Sequence, residues 1–379
     1  MSDVVLFETL NCVNGKAIGV ATLNAEKSLN ALSGEMIAAL YPQLLAWQQD
    51  NTIAAVLLQG NGEKAFCAGG DIVKLYREMC NHPDAYAPEV EAYFANEYRL
   101  DHLIHTFGKP FMVWGNGIVM GGGLGMMVGG SHRIVTETSR IAMPEISIGL
   151  LPDVGGTKFL NEMPDNCGLF LGLTGASINA ADAKYTHLAD FFMLAAQKSA
   201  LLDKLMTTHW SDTAADNHKL LSSLISEFEQ AAQPSLPVSP VQEHKALINQ
   251  VTSANTLSEI VNDIVNYPIE DKWFNRAQAA LKHGSAISAH LVYRQLREGK
   301  GMSLADCYRF ELGLTVKGGK YGEFQEGVRA LLVDKDNQPN WQFDSIASVD
   351  NDVIDWFFSP PWSASEHPLL DLGKSEQNL

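Results

Sequence analysis

Two carboxylates stand where an acid is a poor structural choice. Glu145 follows Pro144 after the apolar run Ile141-Ala142-Met143, and Asp153 lies within Leu151-Pro152-Asp153-Val154-Gly155-Gly156. An acid in an apolar stretch shaped by proline and glycine is tolerated in a core only when it is paired or used. Beside a dry pocket, a carboxylate can hold a proton, activate water or attack a carbonyl. For Asp153 a plainer task competes, that of capping a helix beginning near Gly155, because Asp is a favoured N-cap.

Two glycine-centred turns, each following a strand-like run, supply a second kind of chemistry. The first is Ala65-Phe66-Cys67-Ala68-Gly69-Gly70-Asp71; the second runs from Trp114-Gly115-Asn116-Gly117 to Gly121-Gly122-Gly123. Glycine lets a backbone N–H approach a ligand with no Cβ in the way. At a helix start such N–H groups lack intrahelical partners and lie at the positive end of the dipole. Two of them converging on one point would form an oxyanion hole for acyl or enolate chemistry. Tight packing at element junctions is the plainer account of either turn taken alone.

Other chemistries find less support. Gly115-x-Gly117 is followed by three residues before Gly121, where a dinucleotide fingerprint needs two, and no Walker lysine follows a glycine run. There is no G-x-S-x-G elbow and no H-E-x-x-H. His102 and His105 can share a helix face, but two histidines do not make a metal site, and no metal is expected. Cys67 has no histidine near it in sequence and reads as a small buried hydrophobe. The five cysteines are odd in number and widely spaced, with no C-x-x-C pair, which fits free thiols in a reducing compartment.

The chain of 379 residues is long enough for two or three units, and 46% hydrophobic with 19% charged residues is globular composition. A net charge of −17 repels phosphate backbones and anionic lipid, so neither nucleic acid nor membrane is an expected partner. The first residues carry no signal or transit pattern, and the expected location is cytoplasmic. The uncharged stretch from Phe111 to Ser131 is too rich in glycine for a membrane span and reads as buried strand, turn and small-residue helix.

The positioning elements follow from periodicity. A hairpin is expected around Asn14-Gly15. Ser33 to Gln49 reads as a helix with Met36, Ile37, Leu40, Leu44 and Trp47 on one face. Strands are expected at Ala54–Gln59, Phe111–Trp114 and Arg133–Thr136, and a helix over Glu89–His105. This alternation argues for an α/β domain. Beyond Asp165 the pattern turns helical, with a loop at Pro234, Pro237 and Pro240 and a small strand at Ala330–Val333; the segment from Ser363 reads as loose.

Taken in order, Ser28-Leu29-Asn30-Ala31-Leu32, Ala65 to Asp71, Met120 to Gly125, and Met143-Pro144-Glu145 through Gly156 resemble the crotonase (enoyl-CoA hydratase/isomerase) superfamily. Glu323-Phe324-Gln325-Glu326-Gly327-Val328-Arg329-Ala330 through Asp334-Lys335-Asp336, together with the Pro152–Gly156 stretch, is similar to the 3-hydroxyisobutyryl-CoA hydrolase branch. The resemblance implies a crotonase-like spiral of ββα units followed by a helical C-terminal region. We divide the chain into a CoA-thioester-binding core over residues 1–235 and a mostly helical region over 236–379.

The same resemblance implies roles. Gly70 and Gly122 would supply the oxyanion-hole amides, Glu145 and Asp153 would be catalytic, and Glu97 would join Gly122, Glu145 and Asp153 in binding substrate. Hydratases carry a further glutamate just after the triple glycine, and here that position is Gly125. One carboxylate fewer argues against hydration and for thioester hydrolysis, with CoA as part of the substrate and no separate cofactor. The substrate implied is a short 3-hydroxyacyl-CoA such as 3-hydroxyisobutyryl-CoA. A hydratase or isomerase, or a non-catalytic CoA-binding module, stays open. So does assembly into a homo-oligomer, and Lys27 is only a candidate for the CoA phosphates.

Overall fold

The computed structural model describes residues 3–83 and 85–374. Its contacts divide the chain into two interleaved units, one of residues 1–70, 100–141 and 178–242, the other of 71–99, 142–177 and 243–379. A single cut at residue 235 therefore does not describe the division. The chain leaves the first unit after residues 70 and 141, returns each time, and only beyond 242 does it stay in the second.

The first unit holds the strands β1 (Val5–Asn11), β2 (Ala17–Leu23), β3 (Ile53–Gly60), β4 (Ala65–Cys67), β5 (Phe111–Gly115), β6 (Ile118–Met120), β7 (His132–Val135), β8 (Arg140–Ala142, its last residue counted with the second unit) and β9 (Phe191–Phe192). Six form one sheet in the order β1-β2-β3-β5-β7-β9, and three form another in the order β4-β6-β8. From β3 to β9 successive strands alternate between the sheets before the chain turns helical, which is the expected spiral of ββα units. β1 and β2 pair antiparallel, and β2-β3-β5-β7-β9 run parallel. The hairpin loop is longer than a two-residue turn: Cys12 N–H donates to Lys16 O, and Gly15, at φ +80°, supplies the left-handed residue.

Parallel strands buried on both faces are continuous apolar runs, and β5 (FMVWG) is buried throughout. Ile18, Val20, Leu57, Met112, Trp114 and Ile134 pack against Leu201, Leu205, Leu221 and Ile225 from the helices Lys198–Thr207 and Ala214–Ala232. The helix Gly34–Gln49 begins at Ser33, whose side chain accepts from the Met36 N–H, and buries the five expected residues.

The second unit is helical. Two expectations fail there. Residues 329–333 continue the helix Glu323–Val328 as a π-helix rather than a strand, since a short apolar run has no period that separates the two. Of the segment from Ser363, residues 363–374 are docked, with Leu369 and Leu372 buried and Asp371 paired with Arg99 at 2.6 Å, and the rest lies outside the described residues. No helix among the described residues is long and apolar enough to cross a membrane.

Candidate active site

In the first unit, the Ser28–Leu32 motif shapes the first glycine turn. Leu29 and Asn30 both adopt positive φ, which turns the buried Asn30 side chain inward. Its carbonyl oxygen accepts from the Ala25 N–H at 3.0 Å, and its amide donates to Asn61 O and Ala65 O, each at 3.0 Å. The motif then docks on the turn itself, with Leu32 N–H donating to Gly69 O at 2.8 Å and Ala68 N–H to Leu29 O at 3.1 Å. The Gly70 N–H has no backbone partner among the described residues.

The second glycine turn lies against the first. A Cβ on Gly69 would stand 3.3 Å from Met120 O and 3.9 Å from Gly121 Cα. Gly121 takes φ 48° and ψ −125°, a conformation that requires glycine, and starts the helix Gly122–Gly129. The Gly122 N–H is thus among the first-turn donors that a helix cannot satisfy internally. The structure brings the Gly70 and Gly122 turns together, each with an amide to spare.

The second unit carries the acids. Glu145 opens the 3-10 turn Glu145–Ile148, which ends at left-handed Gly149. That turn is braced from the later chain. Ser285 N–H donates to Ile146 O at 3.0 Å, and the Ser285 hydroxyl donates to Glu323. Backbone meets backbone here as well, since a Cβ on Gly149 would come 2.3 Å from Glu323 O, and one on Gly327 would come 2.4 Å from the Ile148 carbonyl carbon. The sequence pattern 323–330 therefore supports the Glu145 turn.

Glu145 is buried, and its Oε2 finds no hydrogen-bond partner among the described residues. Burial, and next the Asp153 carboxylate, push its carboxyl well above the ordinary range. Asp153 is buried too, and its Oδ2 accepts from the Tyr98 hydroxyl at 2.6 Å. Burial raises its carboxyl to about 6, against the lowering effect of that hydrogen bond. Like charges in a dry site resist ionising together, and burial pushes both carboxyls upward. Glu97, one residue before Tyr98 in the helix Pro88–His105, is also buried.

The capping role is not the one Asp153 takes. The helix Gly156–Asn161 has Gly155 as its N-cap with no side-chain cap bond. Glu311 serves there instead, accepting from Gly155 N–H at 2.8 Å and Thr157 N–H at 2.7 Å. Tyr98 and Glu311 are the residues that sequence reasoning missed. A trace exists for Glu311, a lone carboxylate at i+3 from Tyr308 and i−4 from Thr315 on an otherwise apolar helix face. All five cysteines are free, and Cys67 is fully buried. Among the described residues, no group of three or more His, Cys, Asp or Glu could hold a metal.

A sequence model of the enoyl-CoA hydratase/isomerase family matches residues 18–358. The mitochondrial 3-hydroxyisobutyryl-CoA hydrolase of Danio rerio is 38% identical over 94% of this chain and 89% of its own. Small ribosomal subunit protein mS47 of Neurospora crassa is 32% identical over 92% of this chain and 70% of its own. In solved structures, a carnitinyl-CoA dehydratase from Mycobacterium thermoresistibile superposes with a TM-score of 0.82 at 30% identity, covering 95% of this chain and 97% of the other.

Proposed function

The chain belongs to the enoyl-CoA hydratase/isomerase family, and on that premise we propose that it hydrolyses a short 3-hydroxyacyl-CoA thioester, 3-hydroxyisobutyryl-CoA foremost, to the free acid and CoA. The observation that carries this reading is the buried pair Glu145 and Asp153, both pushed toward the protonated form, in a chain whose hydratase-type first glutamate is replaced by Gly125.

Each atom has a place in the proposed reaction. The Gly70 and Gly122 amides stabilise the oxygen that turns negative as the thioester carbonyl is attacked. Glu145 gives its proton to Asp153 and attacks the carbonyl carbon. The C–S bond breaks, the thiolate takes the proton from Asp153, and a mixed anhydride remains on Glu145. Water, deprotonated by Asp153, opens the anhydride and restores the pair. The other route has Glu145 as general base on water, with no anhydride. Glu97 and Asp153 would accept the substrate's 3-hydroxyl. CoA enters only as part of the substrate, and the chemistry draws on no separate cofactor or metal.

Thiol release from 3-hydroxyisobutyryl-CoA tests the reading. Glu145→Gln is expected to abolish it, and turnover at the wild-type rate would overturn the assignment. A single turnover in oxygen-18 water separates the routes, because label entering the Glu145 carboxylate requires the anhydride.

Two other readings are separated by the same assay. A hydratase or isomerase leaves the thioester intact and releases no thiol. The likeness to a ribosomal protein favours a non-catalytic assembly module, which would bind without turnover; the retained acids and a net charge of −17 count against it. For compartment we propose the cytoplasm, on five free thiols, although the Danio rerio relative is named as mitochondrial. Fractionation of the native host decides this. Self-association into a homo-oligomer is a further proposal, read by sedimentation.

A further inference from the structure

We propose that Tyr98 and Glu311 are positioning residues for Asp153, the phenol fixing its carboxylate and Glu311 clamping the backbone turn that follows it. The inference rests on the hydrolase reading above and assigns work to residues which that reading leaves unused.

The phenol is held before it holds anything else. Tyr98 is fully buried, its ring centroid 5.5 Å from that of Tyr308 and 6.0 Å from that of Phe94. Its hydroxyl is left two oxygens, Asp153 Oδ2 at 2.6 Å and Thr315 Oγ1 at 3.4 Å. A phenol has one proton, and the shorter contact has the length of a charge-assisted O–H···O⁻ bond. Thr315 spends its own hydroxyl on the carbonyls of Glu311 and Leu312. The Tyr98 proton therefore belongs to Asp153.

The turn after Asp153 is strained and clamped. Val154 has φ 50° and Gly155 φ 87°, two left-handed residues in succession, the first β-branched. Such a conformation persists only where its surroundings over-determine it. Glu311 does so from one side, with one oxygen on the Gly155 N–H and the other on the Thr157 N–H. Gln295 does so from another, donating to Pro152 O at 2.6 Å and to Thr157 Oγ1 at 2.9 Å. Tyr308, Glu311 and Thr315 all come from one face of the helix Leu304–Tyr321. That helix belongs to the C-terminal region, so the region's contribution to the chemistry is the orientation of the second acid.

The groups facing Asp153 are Tyr98 from the helix Pro88–His105, Glu145 from the 3-10 turn, and Glu311 with Thr315 from the helix Leu304–Tyr321. Burial opposes its ionised form, the Tyr98 hydroxyl and a backbone N–H favour it, and its charge in turn pushes up both glutamates. Losing the phenol hydroxyl must then raise the proton affinity of Asp153.

The test uses full-length protein labelled with carboxyl-13C aspartate, the Asp153 resonance being assigned by its loss in Asp153→Asn. Tyr98→Phe keeps the ring and its stacking. It is expected to move the Asp153 titration midpoint up by about 1–2 pH units and to move the acid limb of kcat/KM with it. Glu311→Gln presents an amide donor to a backbone donor and is expected to lower kcat about tenfold with KM nearly unchanged. Glu311→Asp, which withdraws the carboxylate by one methylene, is expected to give the same split. A midpoint unmoved in Tyr98→Phe, an acid limb that stays while the midpoint moves, or wild-type kcat in both Glu311 variants would overturn the proposal. Failure of the hydrolase reading looks different: the wild-type protein releases no thiol, and the carboxylate titration still decides whether Tyr98 controls Asp153.

Discussion

Gly123 lies so close to Cys67 that a Cβ on it would stand 2.3 Å from the Cys67 carbonyl oxygen. This contact locks the start of the helix Gly122–Gly129 onto the end of β4, and so fixes the Gly122 amide relative to the turn carrying Gly70. A backbone donor cannot be removed by substitution, but it can be displaced.

Gly123→Ala is the displacing variant. The new methyl must push the helix start away from β4, and a shift near 1 Å at a reacting atom costs about 100-fold in rate. Overpacking of this kind costs about 1–3 kcal/mol in stability. We expect a folded protein whose kcat for thiol release falls about 100-fold; kinetics alongside thermal melting check both halves.

A second prediction concerns stability. Burial raises the Asp153 carboxyl from 3.8 to about 6, so between those pH values the folded state binds more protons than the unfolded chain. Stability then falls as pH rises through that window and stays lowered above it. Asp153→Asn keeps an acceptor for Tyr98 and removes the buried charge. It should stabilise the protein near pH 7.5 by about 2–3 kcal/mol while impairing catalysis, and the gain should vanish towards pH 4. Denaturant melts of both proteins across that range give the sign directly.

Gly327 supplies the third. Its α-carbon faces the Ile148 backbone with no room for a side chain, the nearest atom to an added Cβ being 2.4 Å away. Gly327→Ala must push against the turn that Glu145 opens. The expected result is a fall in kcat of about 10- to 100-fold, with a loss of about 1–3 kcal/mol in stability. If kcat holds while the melting temperature drops, the C-terminal support of Glu145 is structural only.

What could be read from sequence was local. The face of the helix Gly34–Gln49 is set by apolar spacing, and its five buried residues were all legible. Glu145 and Asp153 stood out because an acid in an apolar, proline-shaped run has no cheap structural use. The partners of those acids were hidden, because Tyr98 and Glu311 lie 55 and 156 residues from the groups they bind. No periodicity links such positions, and so capping competes as a role for Asp153 in the sequence although Glu311 performs it. The π-helix at Arg329–Val333 was misread for a related reason. Its apolar side chains carry no period of their own, and only the preceding helix tells the backbone to keep turning. The docked residues 363–374 were missed because their anchors, among them Leu369, Leu372, the Asp371–Arg99 pair and the Arg309 bonds to backbone carbonyls, are scattered through a polar stretch.

The substrate's hydroxyl gives the last prediction. Glu97 and Asp153 are buried acids in the second unit, and in the proposed reaction they accept the 3-hydroxyl. A site built around a hydroxyl leaves its own polar groups unpaired when the analogue lacks one, and discrimination of about 10⁴-fold is within reach of that mechanism. We therefore expect kcat/KM for 3-hydroxyisobutyryl-CoA to exceed that for isobutyryl-CoA by at least about 100-fold. Glu97→Gln should shrink that ratio chiefly by lowering turnover of the hydroxylated substrate, because the plain acyl chain never engaged Glu97. Equal turnover of the two thioesters by the wild-type protein would remove both acids from hydroxyl recognition and leave Asp153 with the proton-transfer role alone.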